Sequence, residues 1–253
     1  MILRAMTWNI HGGIGTDGVC DMRRVTALIR RQAPDILAVQ EVESRGRGTE
    51  HCGFSLLGAL SDHSTPARTI KADDGAYGHM LLSRWPIQHS ALHDLSHPGR
   101  EPRVAIEATI ATPSGALHVV STHLGLRTRE RQQQALRLAA LIRRLEGPLV
   151  VLGDFNEWIW RGPVRRVLAG QDWAGTQQRT FPARFPVLKL DRIYCRPARL
   201  LGDSWRDPDG RGASDHLPVV AELHMPEMRT DVGEPDARTE ELVPTGIVEA
   251  GAP

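Results

Sequence analysis

The stretch VVLGDFNEW, residues 150–158, joins a run of apolar, largely β-branched residues to an acid and an amide two positions apart. The apolar run is typical of a β-strand buried on both faces. Asp154 and Asn156 have the period-2 spacing of a strand, so we expect their side chains to point the same way. A carboxylate is costly to bury there unless it is paired, hydrogen-bonded or bound to a metal. The stretch therefore predicts a buried strand that delivers polar groups to a site.

Strand-like and helical segments alternate on both sides of this stretch, which favours an α/β fold. One helix is predicted at 21–35, capped by Asp21 and ended by Pro34. A second is predicted at 129–147, with Leu136, Ala139, Ala140 and 142–145 on its apolar side. Strands are predicted at residues 2–10, 35–43, 78–87, 103–111, 116–124, 148–156, 190–195 and 218–223.

The composition of the 253-residue chain is that of a globular protein, with 41% hydrophobic and 24% charged residues. Its formal net charge of +1 does not provide the strongly basic field of a dedicated duplex-DNA binder. Cys20, Cys52 and Cys195 are widely spaced, which argues against a disulfide framework or a cysteine zinc site. We find neither a secretory signal nor an apolar run long enough to span a membrane. We therefore expect a cytoplasmic protein without stable membrane insertion, and we take it to be a monomer.

The composition changes at Pro226, where the sequence becomes rich in Pro, Gly, Glu and Thr and loses its periodicity. Such a segment cannot bury enough apolar surface to order itself. We therefore predict a catalytic domain at residues 1–225 and a disordered, solvated tail at residues 226–253.

Polar and charged residues recur at the ends of the predicted strands. They are Asn9, Glu41, His123, Asp154, Asp191, Asp215 and His216. Taken singly, each is explained by a turn, a surface ion pair or a hydrogen-bonded core position. Taken together, they predict that the sheets gather these groups at one rim, where α/β proteins commonly form binding sites.

The order of these motifs resembles that of the endonuclease/exonuclease/phosphatase superfamily. The motifs that carry the resemblance are TWNIHG, QEVE, LLSRWPI, STHL, GDFNEW, LDRIY and SDHLPV, between Met6 and about Leu223. The resemblance implies a four-layer αββα sandwich, in which two mixed, largely antiparallel sheets pack face to face and are flanked by helices. It also implies Mg²⁺-dependent hydrolysis of phosphate esters.

The resemblance implies a metal shell of oxygen ligands. Glu41 corresponds to the principal ligand, with Asn9 and Asp215 as its neighbours. Mg²⁺ prefers hard oxygen ligands and keeps several waters, so it needs only one or two protein carboxylates. We expect Mg²⁺ as the cofactor, with Mn²⁺ as a substitute.

The resemblance also implies roles for five further residues. Asp154 would align and deprotonate the attacking water, and Asn156 would donate to a nonbridging phosphate oxygen. His216 would contact the phosphate and be oriented by Asp191. His123, near the leaving group, is a candidate acid or transition-state donor.

Three residues are candidates for holding the substrate. Arg103, just before a predicted strand, offers a planar cation for the phosphate. Arg127 follows STHL and Trp158 follows GDFN, so both would flank the site. Each also has a simpler interpretation, since arginines are often solvated and tryptophans often pack at a rim. The histidines of 89–97 match no tight zinc pattern and are not expected to bind a metal.

The sequence leaves the substrate open. The leading hypothesis is a Mg²⁺-dependent phosphodiesterase or phosphomonoesterase whose partner is a nucleic acid, a phospholipid or a small molecule. One alternative is a nuclease acting on DNA or RNA, including an abasic-site endonuclease. Another is a phospholipid- or sphingomyelin-type phosphodiesterase. A catalytically dead binding module of the same fold is a further alternative.

Overall fold

Two six-stranded sheets form the centre of the computed structural model, which describes residues 1–46, 52–159, 162–168 and 170–226. The first sheet contains, from edge to edge, β11 (Leu201–Arg206), β12 (Val219–His224), β1 (Ile2–Asn9), β2 (Ile36–Glu43), β4 (Gly75–Ser83) and β3 (His63–Ala72). The second contains β5 (Ile87–Asp94), β6 (Val104–Thr112), β7 (Gly115–His123), β8 (Leu149–Asp154), β10 (Asp191–Arg196) and β9 (Ala174–Gly175).

Each sheet is antiparallel except for one central parallel pair. β1 pairs with β2 in parallel, and β7 pairs with β8 in parallel. The parallel strands therefore end at the same edge of their sheet, so that Asn9 lies opposite Gln40 and His123 opposite Asp154. This arrangement confirms the prediction of two mixed, largely antiparallel sheets.

Three apolar clusters hold the layers together. The first lies between the sheets and includes Ala5, Ile106, Val150 and Val219. The second packs helices α1 (Met22–Gln32) and α2 (Gly53–Gly58) against the first sheet. The third packs α3 (Thr128–Ile142) and α4 (Pro163–Val167) against the second sheet. The result is the predicted four-layer αββα sandwich.

Helix α1 begins and ends as its sequence predicts. The Asp21 carboxylate accepts a hydrogen bond from the Arg23 amide and caps the first turn. Ala33 adopts a left-handed conformation after the last turn, and Pro34 follows it.

The predicted apolar side of helix α3 is wrong in part. Leu136 is 63% exposed and Ala140 is exposed, whereas Ile142 and Leu145 are buried as predicted. Leu138 and Leu141 are buried beside them. The inward side also holds Gln134, whose side chain accepts from the Gly125 amide and donates to the Leu95 carbonyl. Because this polar residue lies on the buried side of the helix, the pattern of apolar residues in the sequence did not show where that side is.

Several elements were not predicted as separate strands or helices. Strand β3 contains Pro66, which is tolerated because β3 is an edge strand. The single strand expected at 78–87 ends instead at Ser83, and β5 begins at Ile87 in the other sheet. Pro86 lies between them, where a chain leaving one sheet needs no ladder hydrogen bond.

The predicted tail falls almost entirely outside the described residues. Met225 is buried and its amide donates to the Met1 carbonyl, so the described fold continues to that point. Residues 227–253 lie outside the described part of the chain, and the division at 225 stays a prediction. In the described ranges, no helix is both long and apolar enough to cross a membrane.

Gly153, within the stretch of residues 150–158, is required by the fold. It adopts φ +149° in β8, and a Cβ there would lie 1.9 Å from the Thr122 carbonyl oxygen on β7. We expect Gly153→Ala to lower the free energy of unfolding by roughly 2–3 kcal/mol, measured by urea denaturation. Gly212→Ala is the control, because a Cβ at Gly212 meets no atom within 4 Å. Equal stability of the two variants would contradict this explanation.

Candidate active site

The ends of the central strands form one cleft of about 440 Å³. β1, β2, β7 and β8 each bring a polar residue to this edge, and the first residue of β10, Asp191, pairs with Asp154 across the ladder. The segment before β12 adds Asp215 and His216. Side chains lining the cleft include His11, Glu41, Tyr77, Arg103, His123, Asp154, Asn156, Trp158, Phe181, Asp215 and His216.

Asn9 joins the two sheets within the cleft. Its Nδ2 donates to Glu41 Oε1 at 2.8 Å and to Asp154 Oδ2 at 3.0 Å. Its Oδ1 accepts from the His11 amide at 3.1 Å. One buried amide therefore orients a carboxylate from each sheet.

Glu41 is held as a carboxylate. Burial raises its pKa, but the hydrogen bonds from His11 and Asn9 and the charge of His11 outweigh burial and lower the pKa to about 2. His11 Nδ1 lies 3.3 Å from Glu41 Oε2 and 3.8 Å from Asp215 Oδ1. Glu41 adopts φ +55°, a conformation that is rare for residues other than glycine.

Asp154 lies deeper in the cleft and is a stronger base than an ordinary carboxylate. Its pKa is raised by burial and by the nearby charge of Asp191. Its Oδ1 accepts from the Asn156 amide at 2.8 Å. Asn156 itself has φ +50°, and its Nδ2 donates to the Leu124 carbonyl at 2.9 Å.

His216 lies between two buried carboxylates. Its Nδ1 is 2.8 Å from Asp191 Oδ2, and its Nε2 is 4.0 Å from Asp154 Oδ2. Burial lowers the pKa of His216, but the charges of Asp191 and Asp154 outweigh it and raise the pKa to about 10. The ring is therefore an imidazolium at neutral pH, and its charge compensates the acidic pair.

His123 has the opposite charge state. Burial and the nearby Arg103 guanidinium lower its pKa well below the usual range, so the ring is neutral. Arg103 Nη1 lies 2.7 Å from His123 Nδ1. A guanidinium can only donate, so this shorter contact makes Nδ1 the acceptor and leaves the proton of the neutral ring on Nε2. Asn156 Nδ2, itself a donor, lies 3.3 Å from Nε2, and with this tautomer that approach is a contact rather than a hydrogen bond. Nε2 lies 3.6 Å from Asp154 Oδ2.

Trp158 and Arg127, two of the three candidates for holding the substrate, lie on one side of the cleft. Trp158 lines it and is 52% exposed, with the Arg131 guanidinium 4.7 Å from its ring centroid. Arg127 is exposed just before helix α3, next to Leu126, which also lines the cleft.

Four contributors were not predicted from the sequence. His11 contacts Glu41, and Tyr77 lines the cleft. The Phe181 ring packs against His216 with centroids 4.8 Å apart. Ser214 Oγ donates to the Asn9 carbonyl at 2.7 Å and accepts from the His216 amide at 3.0 Å. The position of His11 two residues after Asn9 was an available signal, whereas Tyr77 and Phe181 carry none.

Two groups in the cleft could hold a cation. Asp154, Asp191 and His216 each offer a ligand atom within 4.8 Å of the others. However, the positive charge of the His216 imidazolium already compensates the charge of the two aspartates. The Glu41 and Asp215 side chains are 24% and 40% exposed, with Asn9 beside them. Oxygen donors with access to water suit Mg²⁺, which keeps several waters. This second group therefore fits a hard divalent cation.

Comparison with known proteins identifies the family. The chain matches the Endonuclease/Exonuclease/phosphatase family over residues 6–216. It is 33% identical over 250 residues to the protein YbhP of Escherichia coli (strain K12), covering 88% of this chain and 96% of that protein. The chain therefore belongs to the endonuclease/exonuclease/phosphatase family, and it is a hydrolase of that family.

Solved structures share the fold. The endonuclease/exonuclease/phosphatase from Beutenbergia cavernae DSM 12333 has a TM-score of 0.69 at 24% identity, covering 88% of this chain and 72% of that chain. The human Nocturnin catalytic domain with bound sulfate anion has a TM-score of 0.68 at 22% identity, covering 89% of this chain and 94% of that chain. Both likenesses agree with the αββα architecture described above.

Ser214 joins the segments that carry Asn9 and His216 through two buried hydrogen bonds. We expect Ser214→Ala to lower the free energy of unfolding by about 1–3 kcal/mol, because it leaves a buried carbonyl and a buried amide unpaired. Urea denaturation measures the effect, with the exposed Ser90→Ala on β5 as control. An unchanged Ser214→Ala midpoint would show that these bonds do not stabilise the fold.

Proposed function

We propose that the chain is a Mg²⁺-dependent phosphoesterase in which Asp154 activates the attacking water. The observation that supports this most is the convergence of remote segments on one cleft. Asn9 contacts both Glu41 and Asp154, and His123 and His216 each lie within 4.0 Å of Asp154. Loss of one of these groups would have favoured a catalytically dead module, but all are present.

Glu41, with Asn9 and Asp215, would hold the divalent ion. When bound there, Mg²⁺ or its substitute Mn²⁺ would stabilise negative charge on the phosphate and the leaving oxygen. Glu41 is ionised without the ion, so it would bind without first losing a proton.

Asp154 and His216 would handle the proton and the phosphate. The raised pKa of Asp154 makes it a better proton acceptor for the attacking water near neutral pH. The His216 imidazolium, oriented by Asp191, would donate from Nε2 to a phosphate oxygen. The second N–H of the Asn156 amide would donate to a nonbridging oxygen without adding charge.

His123 would act as a neutral donor. Its Nε2–H would donate a hydrogen bond to the leaving oxygen, because the Arg103 contact leaves Nδ1 as the acceptor. Arg103 would thereby position His123, and its positive charge would also favour an anionic substrate.

A nuclease is the second candidate. The exposed Trp158 ring, backed by the Arg131 guanidinium, offers a face on which a base could stack, and Arg127 is nearby. The net charge of +1 provides no strongly basic field for a duplex, so a single strand would suit this face better. We also propose a cytoplasmic monomer, which size-exclusion chromatography and cell fractionation test.

A hydrolysis panel tests the proposed function. Bis-p-nitrophenyl phosphate, intact and abasic DNA, RNA, inositol phosphates and phospholipids are compared with Mg²⁺, Mn²⁺ or EDTA. We expect turnover with the ions, none with EDTA, and a fall of at least about 100-fold in kcat for Asp154→Asn. Asp203→Asn is the control, because Asp203 is an exposed acid on β11. Wild-type turnover in Asp154→Asn would reject Asp154 as the base.

The same panel tests the metal position. Glu41→Gln should raise the Mg²⁺ concentration for half-maximal activity by more than about tenfold, because it removes the ionised ligand. An unchanged Mg²⁺ titration would place the ion elsewhere.

The Arg103 contact predicts the tautomer of His123. The ¹⁵N NMR spectrum of the wild type should show the His123 proton on Nε2. Arg103→Met should release that preference and lower kcat most for substrates with poor leaving groups, while Arg103→Lys should restore part of the activity. Arg100→Met is the control, since Arg100 is exposed in the preceding loop. A proton on Nδ1 in the wild type would refute the assignment.

A further inference from the structure

Four exposed apolar side chains lie on segments that border the cleft. Leu126, Trp158, Phe185 and Val187 are 62%, 52%, 72% and 61% exposed, and we call these four residues the apolar lip. Isolated exposed apolar residues are ordinary on a protein surface, but a group of them around one site marks an interaction surface.

A short hairpin carries half of the apolar lip. Phe181 and Leu188 pair in an antiparallel bridge, and their side chains line the cleft. At the tip, the Phe185 amide donates to the Pro182 carbonyl. The Ala183 amide donates to the Asp215 carbonyl at 2.6 Å, which fixes the hairpin to the edge of the site. The hydrogen bonds of the hairpin therefore fix the exposed position of Phe185.

Cations accompany the apolar lip. The segment 176–190 contains Arg179, Arg184 and Lys189 and no acidic residue, and Leu126 is followed by Arg127 and Arg129. The pKa of Lys189 is lowered by burial and by the charges of neighbouring arginines. The segments that carry the apolar lip thus combine exposed apolar groups with positive charge, whereas the acids Glu41, Glu101 and Asp215 line the cleft itself.

The position of the apolar lip indicates what covers it. Leu126 and Trp158 line the cleft itself, so an occupant of the lip would also reach the cleft. A single-stranded nucleic acid would use aromatic faces, but Leu126 and Val187 are aliphatic and offer no stacking surface. Aliphatic and aromatic tips beside arginine and lysine suit the boundary between anionic headgroups and acyl chains.

We propose that the apolar lip docks on an anionic phospholipid surface and presents a lipid phosphate ester to the cleft. Docking on the phospholipid surface is argued from the apolar lip alone, whereas hydrolysis of the lipid phosphate ester rests on the proposed function. Contact is confined to side-chain tips, so it is shallow and reversible and agrees with the expected lack of stable membrane insertion.

Vesicle binding tests the docking. Cosedimentation of the full chain is measured with phosphatidylglycerol–phosphatidylcholine vesicles and with phosphatidylcholine vesicles alone. Binding is expected only with the anionic vesicles and should fall about tenfold or more in the double variant Phe185→Ser, Val187→Ser. Leu92→Ser is the matched control, because Leu92 is 52% exposed on the edge strand β5.

Activity separates this proposal from the proposed function. The double variant should keep bis-p-nitrophenyl phosphate turnover within about twofold of wild type and lose lipid phosphate release from vesicles. No wild-type binding to anionic vesicles, equal binding by the double variant, or binding of single-stranded oligonucleotides in place of vesicles would overturn docking. Vesicle binding without Mg²⁺-dependent hydrolysis of any ester would leave docking standing and reject the phosphoesterase.

Discussion

The structure depends on how negative charge is compensated at the edge where two sheets meet. Asp154 and Asp191 lie opposite each other across a strand pair, and both are buried. Two ionised carboxylates in that position would repel each other without a cation. The His216 imidazolium supplies the charge at 2.8 Å from Asp191. Ser214 accepts from the His216 amide and the Trp8 indole on β1 donates to the His216 carbonyl, so the backbone that carries the ring is fixed.

Much of the fold and most of the site residues could be predicted, because their signals are local. A buried strand ending in an acid is visible in residues 150–154, and the same device recurs at Asn9 and His123. The order of the motifs then indicated the family and its two-sheet architecture. The physical reason is that strands carry a short, regular pattern and the polar residues at their ends break it.

The remaining features depend on contacts between distant segments. The proton position on His123 follows from Arg103, twenty residues away, and no spacing rule connects them. Tyr77 and Phe181 enter the cleft only because two sheets pack face to face. The inward side of α3 was predicted wrongly in part, because the buried Gln134 side chain forms its hydrogen bonds with backbone groups outside the helix. Left-handed backbone at Glu41 is likewise imposed by the surrounding structure rather than by residue preference, whereas an asparagine such as Asn156 adopts it readily.

The first and last described strands lie side by side. The order of the elements along the chain could therefore change without moving the residues of the cleft. β1 and β12 are antiparallel neighbours, and the Met225 amide reaches the Met1 carbonyl at the end of the sheet away from the cleft. In a chain shortened to residues 1–226, a short linker from Pro226 to Met1 would close the domain into a ring. New ends opened in the turn between β6 and β7 would then reverse which half is synthesised first while leaving every group at the cleft in place.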